Sequence, residues 1–208
     1  MTEQIKIMDM INRWGYLNLE QVALLLNKNK NTVEKQLYIL INKKLIIANK
    51  LTRKNIYVLT HKGNSYLGRV HKKSIQINFY ELAHQDLLIK WLCSQTDIEH
   101  YQTERELKME NGNLNAYPDL IITKNDDSEI YVEFERTQKS PSRFKKKLDG
   151  HTKWLRNGGQ IYWITPTQTL ANWIQRQIDK DDFKTELQQV IIWPTQELNT
   201  YEILNNKE

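Results

Sequence analysis

The sequence predicts a mixed α/β chain in two parts: a small helical unit with a β-hairpin, then a larger core of strands alternating with helices. Three observations carry this. The first third alternates helical apolar stripes with two short β-rich runs, the rest spaces five strand-like runs between helical segments, and charge divides sharply between the two parts. Residues 1–78 hold 14 Lys and Arg against 4 Asp and Glu, a net +10, whereas residues 79–208 hold 16 against 21, a net −5. The overall +5 of this 208-residue chain conceals that split. Apolar residues make up 39% and charged residues 26%, within the globular range, and six Trp and ten Tyr argue against wholesale disorder.

In the first part, Ile5, Ile7, Met8, Ile11 and Trp14 recur at helical spacing, and Gly15 closes that helix. A second short helix runs to Leu25 with Asn18 as its N-cap, and a polar turn spans Asn27 to Lys30. Val33, Leu37, Leu40 and Ile41 then stripe a third helix from Lys30 to Lys43, capped by Asn29. The runs LIIANK and NIYVLT follow, separated by the polar tip LTRK. Three helices and a hairpin with a basic tip make a winged helix-turn-helix over residues 1–70. The order TVEKQLYILINKKLI, a wing, then YVLTHKGNSYL resembles many bacterial winged-helix proteins, in which a threonine and a glycine, here Thr60 and Gly63, close the second wing strand and open a further helix. Duplex DNA is the expected partner. Lys30, Asn31, Thr32, Lys35 and Gln36 lie near the exposed start of the third helix, where side chains reach base edges or phosphates of a major groove. Lys50, Arg53 and Lys54 on the wing are expected to meet backbone phosphates.

Residues 71–78, polar and basic, read as a linker, and residues 79–208 as the second domain. Phe79–Gln95 is helical in pattern, with Leu82, Leu87, Leu88, Trp91 and Leu92 apolar. Strands are expected over Glu99–Leu107, Ala116–Thr123, Ile130–Arg136, Gln160–Thr165 and Val190–Pro194, with helices over Ser142–Arg156 and Leu170–Lys180. Trp154, Trp163, Trp173 and Trp193 read as core or interface, and Cys93 as a buried small hydrophobe.

Carboxylates stand out in this part. Asp119 follows Pro118 as the one charge of YPDLIIT, and in IYVEFER the period-2 rule puts Tyr131, Glu133 and Glu135 on one strand face. Two carboxylates sharing a dry face repel each other, and a divalent cation removes that repulsion. The spacing therefore predicts a site for Mg²⁺ or Mn²⁺ held by Asp119, Glu133 and Glu135.

These residues resemble the PD-(D/E)xK nuclease superfamily: Pro118 and Asp119 match its first motif, and Glu133-Phe134-Glu135 its second in spacing. The usual lysine is replaced by Glu135, so the resemblance implies that a charge comes from elsewhere, from Lys139 or from the helix SRFKKKL, above all Lys147. Metal-bound hydroxide attacking without a lysine is the other route. A match along nearly the whole chain, through His84 with Leu87, TEREL, PDLII, VEFERTQ and KKLDGH, resembles the replication-relaxation family and the related MOBC-type mobilisation relaxases. That resemblance implies Glu104 as a further acidic site residue and places Lys147 in the family's lysine-leucine position.

The function expected on this basis is a metal-dependent, site-specific nicking endonuclease, or relaxase, that processes plasmid or mobile-element DNA for mobilisation, conjugation or replication. Double-stranded DNA, including an origin of transfer, is its expected partner, with a homodimer and mobilisation accessory proteins as further candidates. The alternatives are a non-catalytic DNA-binding regulator or replication accessory factor with a degenerate nuclease-like domain, and a restriction-type endonuclease. The bland readings are a solvated edge strand for Glu133 and Glu135, a turn role for Asp119, a wet helix face for Lys145 to Lys147, and a satisfied, partly buried histidine for His84. The five histidines form no His-x-His pair, and there is no GxxxxGK[ST] loop or GxSxG elbow, which disfavours histidine-cluster relaxase, P-loop ATPase and serine-hydrolase chemistry. One cysteine excludes an internal disulfide framework. The N-terminus does not read as a signal peptide and no run approaches a membrane span, so a cytoplasmic protein without membrane contact is expected.

Overall fold

A computed structural model describes residues 2–50, 54–68, 75–112 and 116–194. The chain is mixed α/β, with a three-stranded antiparallel sheet and a five-stranded mixed sheet. Its described residues divide into two compact units, one up to Ser94 and one from Gln95 on. Among the described residues no helix is long and apolar enough to cross a membrane.

The first unit opens with α1 (Glu3–Trp14), which buries Ile7, Met8, Ile11 and Trp14 and stops at Gly15, whose φ of 87° suits a residue without a Cβ. Asn18 caps α2 (Leu19–Leu25) in a reciprocal capping box with Gln21. Asn29 caps α3 (Lys30–Asn42), which buries Val33, Leu37 and Leu40. Tyr16–Asn18 is β1, a strand that the residue pattern does not announce. Its three residues pair antiparallel with β3 (Ile56–Leu59), which also pairs with β2 (Ile46–Asn49), so the spatial order is β1-β3-β2. Thr60 accepts from Gly63 N and opens α4 (His61–Tyr66). A Cβ on Gly63 would stand 2.1 Å from Leu45 O, so the close approach of this helix to the hairpin needs glycine.

Helix α5 (Phe79–Ser94) belongs to this first unit, so the division falls after Ser94 rather than after residue 78. Specific contacts explain why. Gln85 Nε2 donates to Tyr16 O at 2.6 Å, Tyr16 Oη donates to Glu81 at 3.2 Å, and Leu82 joins Tyr16, Ile56 and Val58 in a buried cluster. Ile75 and Ile77, expected within a linker, pack on that cluster, and residues 71–74 lie outside the described residues. Cys93 is exposed, not buried, because it lies off the Leu88, Trp91 and Leu92 face of α5.

The second unit is built on the sheet β4-β5-β6-β7-β8. β4 (Ile98–Thr103), β5 (Leu120–Lys124) and β6 (Glu129–Phe134) run antiparallel, and β6, β7 (Gln160–Thr165) and β8 (Gln188–Ile192) run parallel. The strand expected to reach Leu107 stops at Thr103, where a Thr103–Glu106 capping box starts α6 (Glu104–Asn111). The single helix expected over Ser142–Arg156 is two, α7 (Pro141–Gly150) and α8 (Thr152–Arg156), which break at His151. Ser140 caps α7 and Pro141 occupies its first turn, where a missing N–H costs nothing. These helices and α9 (Gln168–Asp181) bury Phe144, Leu148, Leu155, Trp173, Ile174 and Ile178 with Ile161 and Trp163. Phe144 packs tilted on Trp163 and edge-on to Trp173, with ring centroids 5.0 and 5.1 Å away.

Candidate functional site

The register of β5 on β6 pairs Leu120 with Val132, so the next position along places Asp119 across from Glu133. Asp119 Oδ2 accepts a hydrogen bond from Phe134 N at 2.8 Å, which fixes its carboxylate at the mouth of the β5–β6 pair. On β6, alternation puts Tyr131 and Glu133 on the α7–α8 side and Val132 and Phe134 on the other. Glu135 N donates to Ile164 O at 2.8 Å, which extends the parallel ladder one step and keeps Glu135 on the same side as Glu133.

From the helix side, Phe144, Lys147, Leu148 and His151 fall at i, i+3, i+4 and i+7, one stripe of the helix surface. Phe144 and Leu148 enter the core, and Lys147 and His151 are therefore carried to the sheet. Lys147 Nζ lies 2.5 Å from Glu133 Oε2 and 2.7 Å from Glu135 Oε1. His151 Nε2 lies 2.6 Å from Glu133 Oε1. Lys139 Nζ lies 2.5 Å from both oxygens of Glu135. Asp119, Glu133, Glu135, Lys147 and His151 thus form one cluster, completed by Lys139.

The centre of the cluster is dry: Glu133 and His151 are each 1% exposed, and Glu135 is 3% exposed. Burial pushes the Glu133 carboxyl above its ordinary range and Asp119 adds to this, while Lys147 and His151 pull it back. Burial works to lower Lys147, but the facing charges of Glu133, Asp119 and Glu135 outweigh it and hold the ammonium well above its usual value. Lys147 therefore stays charged throughout the physiological range. The carboxylate repulsion that the spacing predicts is met here by two ammonium groups and an imidazole. The aromatic wall behind them is Tyr131, which stacks on Trp154 at 4.1 Å and meets His151 edge-on at 5.7 Å, and Trp163, whose ring centroid lies 5.8 Å from Lys147 Nζ.

Not every expected residue joins. Glu104 N donates to Asp119 O at 3.1 Å, but the Glu104 side chain pairs with Lys108 at 2.6 Å in the next turn of α6. Lys145 pairs with Asp149 and Asp181, so of the three consecutive lysines only Lys147 turns inward, while Lys145 and Lys146 are exposed. Glu135 has both oxygens engaged by lysines, and Glu133 has Oε1 at His151 and Oε2 at Lys147, while Asp119 faces Glu133 across the β5–β6 pair. Among the described residues no three His, Cys, Asp or Glu side chains stand together as a metal-holding group. Mg²⁺ does not require one, because it keeps several waters and takes only one or two carboxylates plus substrate phosphate. Glu133 Oε2 is buried and met by the Lys147 ammonium at 2.5 Å, so the oxygen donors of Asp119 and Glu133 fit such an ion where it would take the ammonium's place beside Oε2. His151 is not among the residues that the sequence pattern marks. Its spacing four residues after Lys147, on a stripe already marked by Phe144 and Leu148, is the signal that finds it.

In the first unit, Lys30, Asn31, Thr32, Lys35 and Lys50 are exposed, with Tyr38 further along the solvent face of α3. Gln36 is half-buried and accepts from Gln4 Nε2 at 3.1 Å, so it turns inward from that face. Lys30 on α3 and Lys54 on the hairpin converge on Glu20 at 3.0 and 2.5 Å, and the two ammonium groups hold the Glu20 carboxyl below its ordinary range. Arg53 lies outside the described residues. No protein-family model matches the chain, and no curated protein matches it.

Proposed function

We propose that the chain binds duplex DNA through its first unit and cleaves a phosphodiester bond at the carboxylate–lysine cluster of its second, as a nicking endonuclease or relaxase acting on plasmid or mobile-element DNA in the cytoplasm. The observation that carries this reading is the meeting of Asp119, Glu133 and Lys147. Lys147 of α7, at 2.5 Å from Glu133, supports this reading as a lysine that would stand in for the one missing from the strand motif. Asp119 and Glu133 would hold Mg²⁺ or Mn²⁺, which supplies an activated water and Lewis-acid stabilisation of a phosphoryl oxygen. Lys147 keeps a fixed positive charge beside the carboxylates, aimed at the negative charge that develops on the phosphate. Glu133 and Glu135 hold that ammonium in place, Lys139 holds Glu135, and Trp163 and Tyr131 exclude water from the rear of the cluster.

The first unit supplies affinity. Its net +10 over residues 1–78 offsets the repulsion that a carboxylate site presents to DNA. Lys35 with Asn31 and Thr32 on the exposed start of α3 suits the major groove, and Lys50, Arg53 and Lys54 suit phosphates. Nicking of supercoiled plasmid in Mg²⁺ or Mn²⁺ tests the proposal. Wild type is expected to convert supercoiled to open-circular DNA, and full cleavage by the D119A/E133A double variant would overturn the site assignment.

A second reading rests on Glu135, whose oxygens are both taken by lysines. It gives a DNA-binding regulator or replication accessory factor in which the cluster is only structural. Site-specific, salt-sensitive binding with no nicking and no rise in Tm on adding Mn²⁺ is its signature.

A further inference from the structure

The geometry points to His151 as a positioning residue that aims the Glu133 carboxylate, leaving Oε2 as the oxygen offered to a divalent cation. This rests on the reading of Asp119 and Glu133 as a cation site. His151 is carried in at the break between α7 and α8, where its N–H bonds back to Leu148 O and its carbonyl accepts from Leu155 N, so its backbone is held on both sides. Its ring is wedged between Tyr131 and Trp163, with centroids at 5.7 and 6.1 Å. The one polar partner that the structure gives this imidazole is Glu133 Oε1 at 2.6 Å, because Nδ1 is buried with no hydrogen-bond partner among the described residues.

A histidine that is 1% exposed and makes a single polar contact, to a carboxylate 1% exposed, does not serve solubility or a cap. What it does is remove rotational freedom. With Oε1 tied to His151 and Oε2 turned to Lys147, the carboxylate plane is fixed, and only Oε2 lies on the Lys147 side. In the tautomer with the proton on Nε2 the ring donates to Oε1, which is the arrangement that holds an ionised Glu133. Outer-shell donors of this kind typically contribute 10–100-fold in metal affinity.

Mn²⁺ binding to the full chain, read by loss of the free-ion signal in electron paramagnetic resonance, tests this without relying on activity. Glutamine at position 151 can place an N–H near the Nε2 position, whereas asparagine places its N–H near Nδ1. H151Q is expected to bind Mn²⁺ close to wild type, and H151N and H151L to bind about 10–100-fold more weakly. Thermal melts of all three variants identify any that fail to fold, and the H151Q and H151N pair decides the matter if H151L does not. Equal Mn²⁺ affinity for H151Q and H151N, or wild-type affinity for folded H151L, overturns the positioning role while leaving the cation site standing. No Mn²⁺ binding by the wild type, or undiminished binding by D119A/E133A, overturns the cation site itself and the positioning role with it.

Discussion

Replacing Lys147 by Met removes the central charge of the cluster with little change in side-chain volume. Lys147 pairs with Glu133 at 2.5 Å and Glu135 at 2.7 Å, and these carboxylates are 1% and 4% exposed in their side chains. Breaking a buried ion pair by removing one partner costs ~3–5 kcal/mol, because the other charge is left uncompensated. Two features place this case at the lower end. Glu135 keeps Lys139 and Glu133 keeps His151, and the Lys147 side chain is itself 22% exposed. K147M is therefore expected to lose about 3 kcal/mol near pH 7.5, which at ordinary urea dependence moves the midpoint down by roughly 1–3 M. Acidification should shrink the deficit, because Glu133 without its ammonium partner can take up a proton and stop being a buried charge. Adding E133Q to K147M should recover part of the loss, and equilibrium urea unfolding of the two single variants and the double variant gives the coupling directly. A K147M stability within about 0.5 kcal/mol of wild type, or a double variant no better than K147M, would refute the claim that these charges hold one another in the interior.

Three further outcomes follow from the same geometry. Glu133 has a folded pKa raised by burial, so its contribution falls as pH rises above the unfolded value of 4.5. The stability of E133Q relative to wild type should therefore climb between pH 4.5 and 8, and a flat or opposite trend in urea midpoints would contradict the buried, proton-binding carboxyl. G63A should lose at least about 1–3 kcal/mol in thermal or urea unfolding, because its Cβ would meet Leu45 O at 2.1 Å and Leu59 Cδ2 at 3.0 Å. K35A and K50A should each weaken duplex binding and lower the slope of log K against log salt by about 0.9, and an unchanged slope in both would remove them from the interface.

Local signals in the sequence were enough for several elements and not for others. Asn18, Asn29, Gly15 and the Thr60–Gly63 pair act within one turn of chain, so their residue types alone mark where helices begin and end. β1 has no such signal, since three residues become a strand only when β3 arrives to pair with them. Thr103 and Glu106 did carry a helix-start signature, but alternation in the preceding residues masks it, so α6 reads as strand until the cap is seen. Helix α5 is apolar around most of its surface, and its allegiance to the first unit is decided by Tyr16 and Gln85, sixty-nine positions apart in their hydrogen bond.

The site divides in the same way. Period-2 alternation placed Glu133 and Glu135 together, and strand pairing brought Asp119 opposite. The direction of Lys147 follows from its company on a helix stripe with Phe144 and Leu148, which also separates it from Lys145 and Lys146. His151 is a lone histidine and carries no motif, although the same stripe points to it. The response to carboxylate repulsion is beyond pattern reading, since a cation, a lysine and a proton are each able to relieve it. Here Lys139, Lys147 and His151 do so in three-dimensional contacts that span up to eighteen residues.

Asp119 and Glu133 are proposed to share a divalent cation beside Lys147. Anomalous diffraction from crystals of the full chain soaked in Mn²⁺ addresses it most directly. One peak coordinated jointly by Asp119 and Glu133, with Lys147 still within reach of Glu135, is the predicted result. Absence of a peak at these carboxylates under conditions that load Mn²⁺ elsewhere on the protein, with Lys147 unmoved between Glu133 and Glu135, would contradict it.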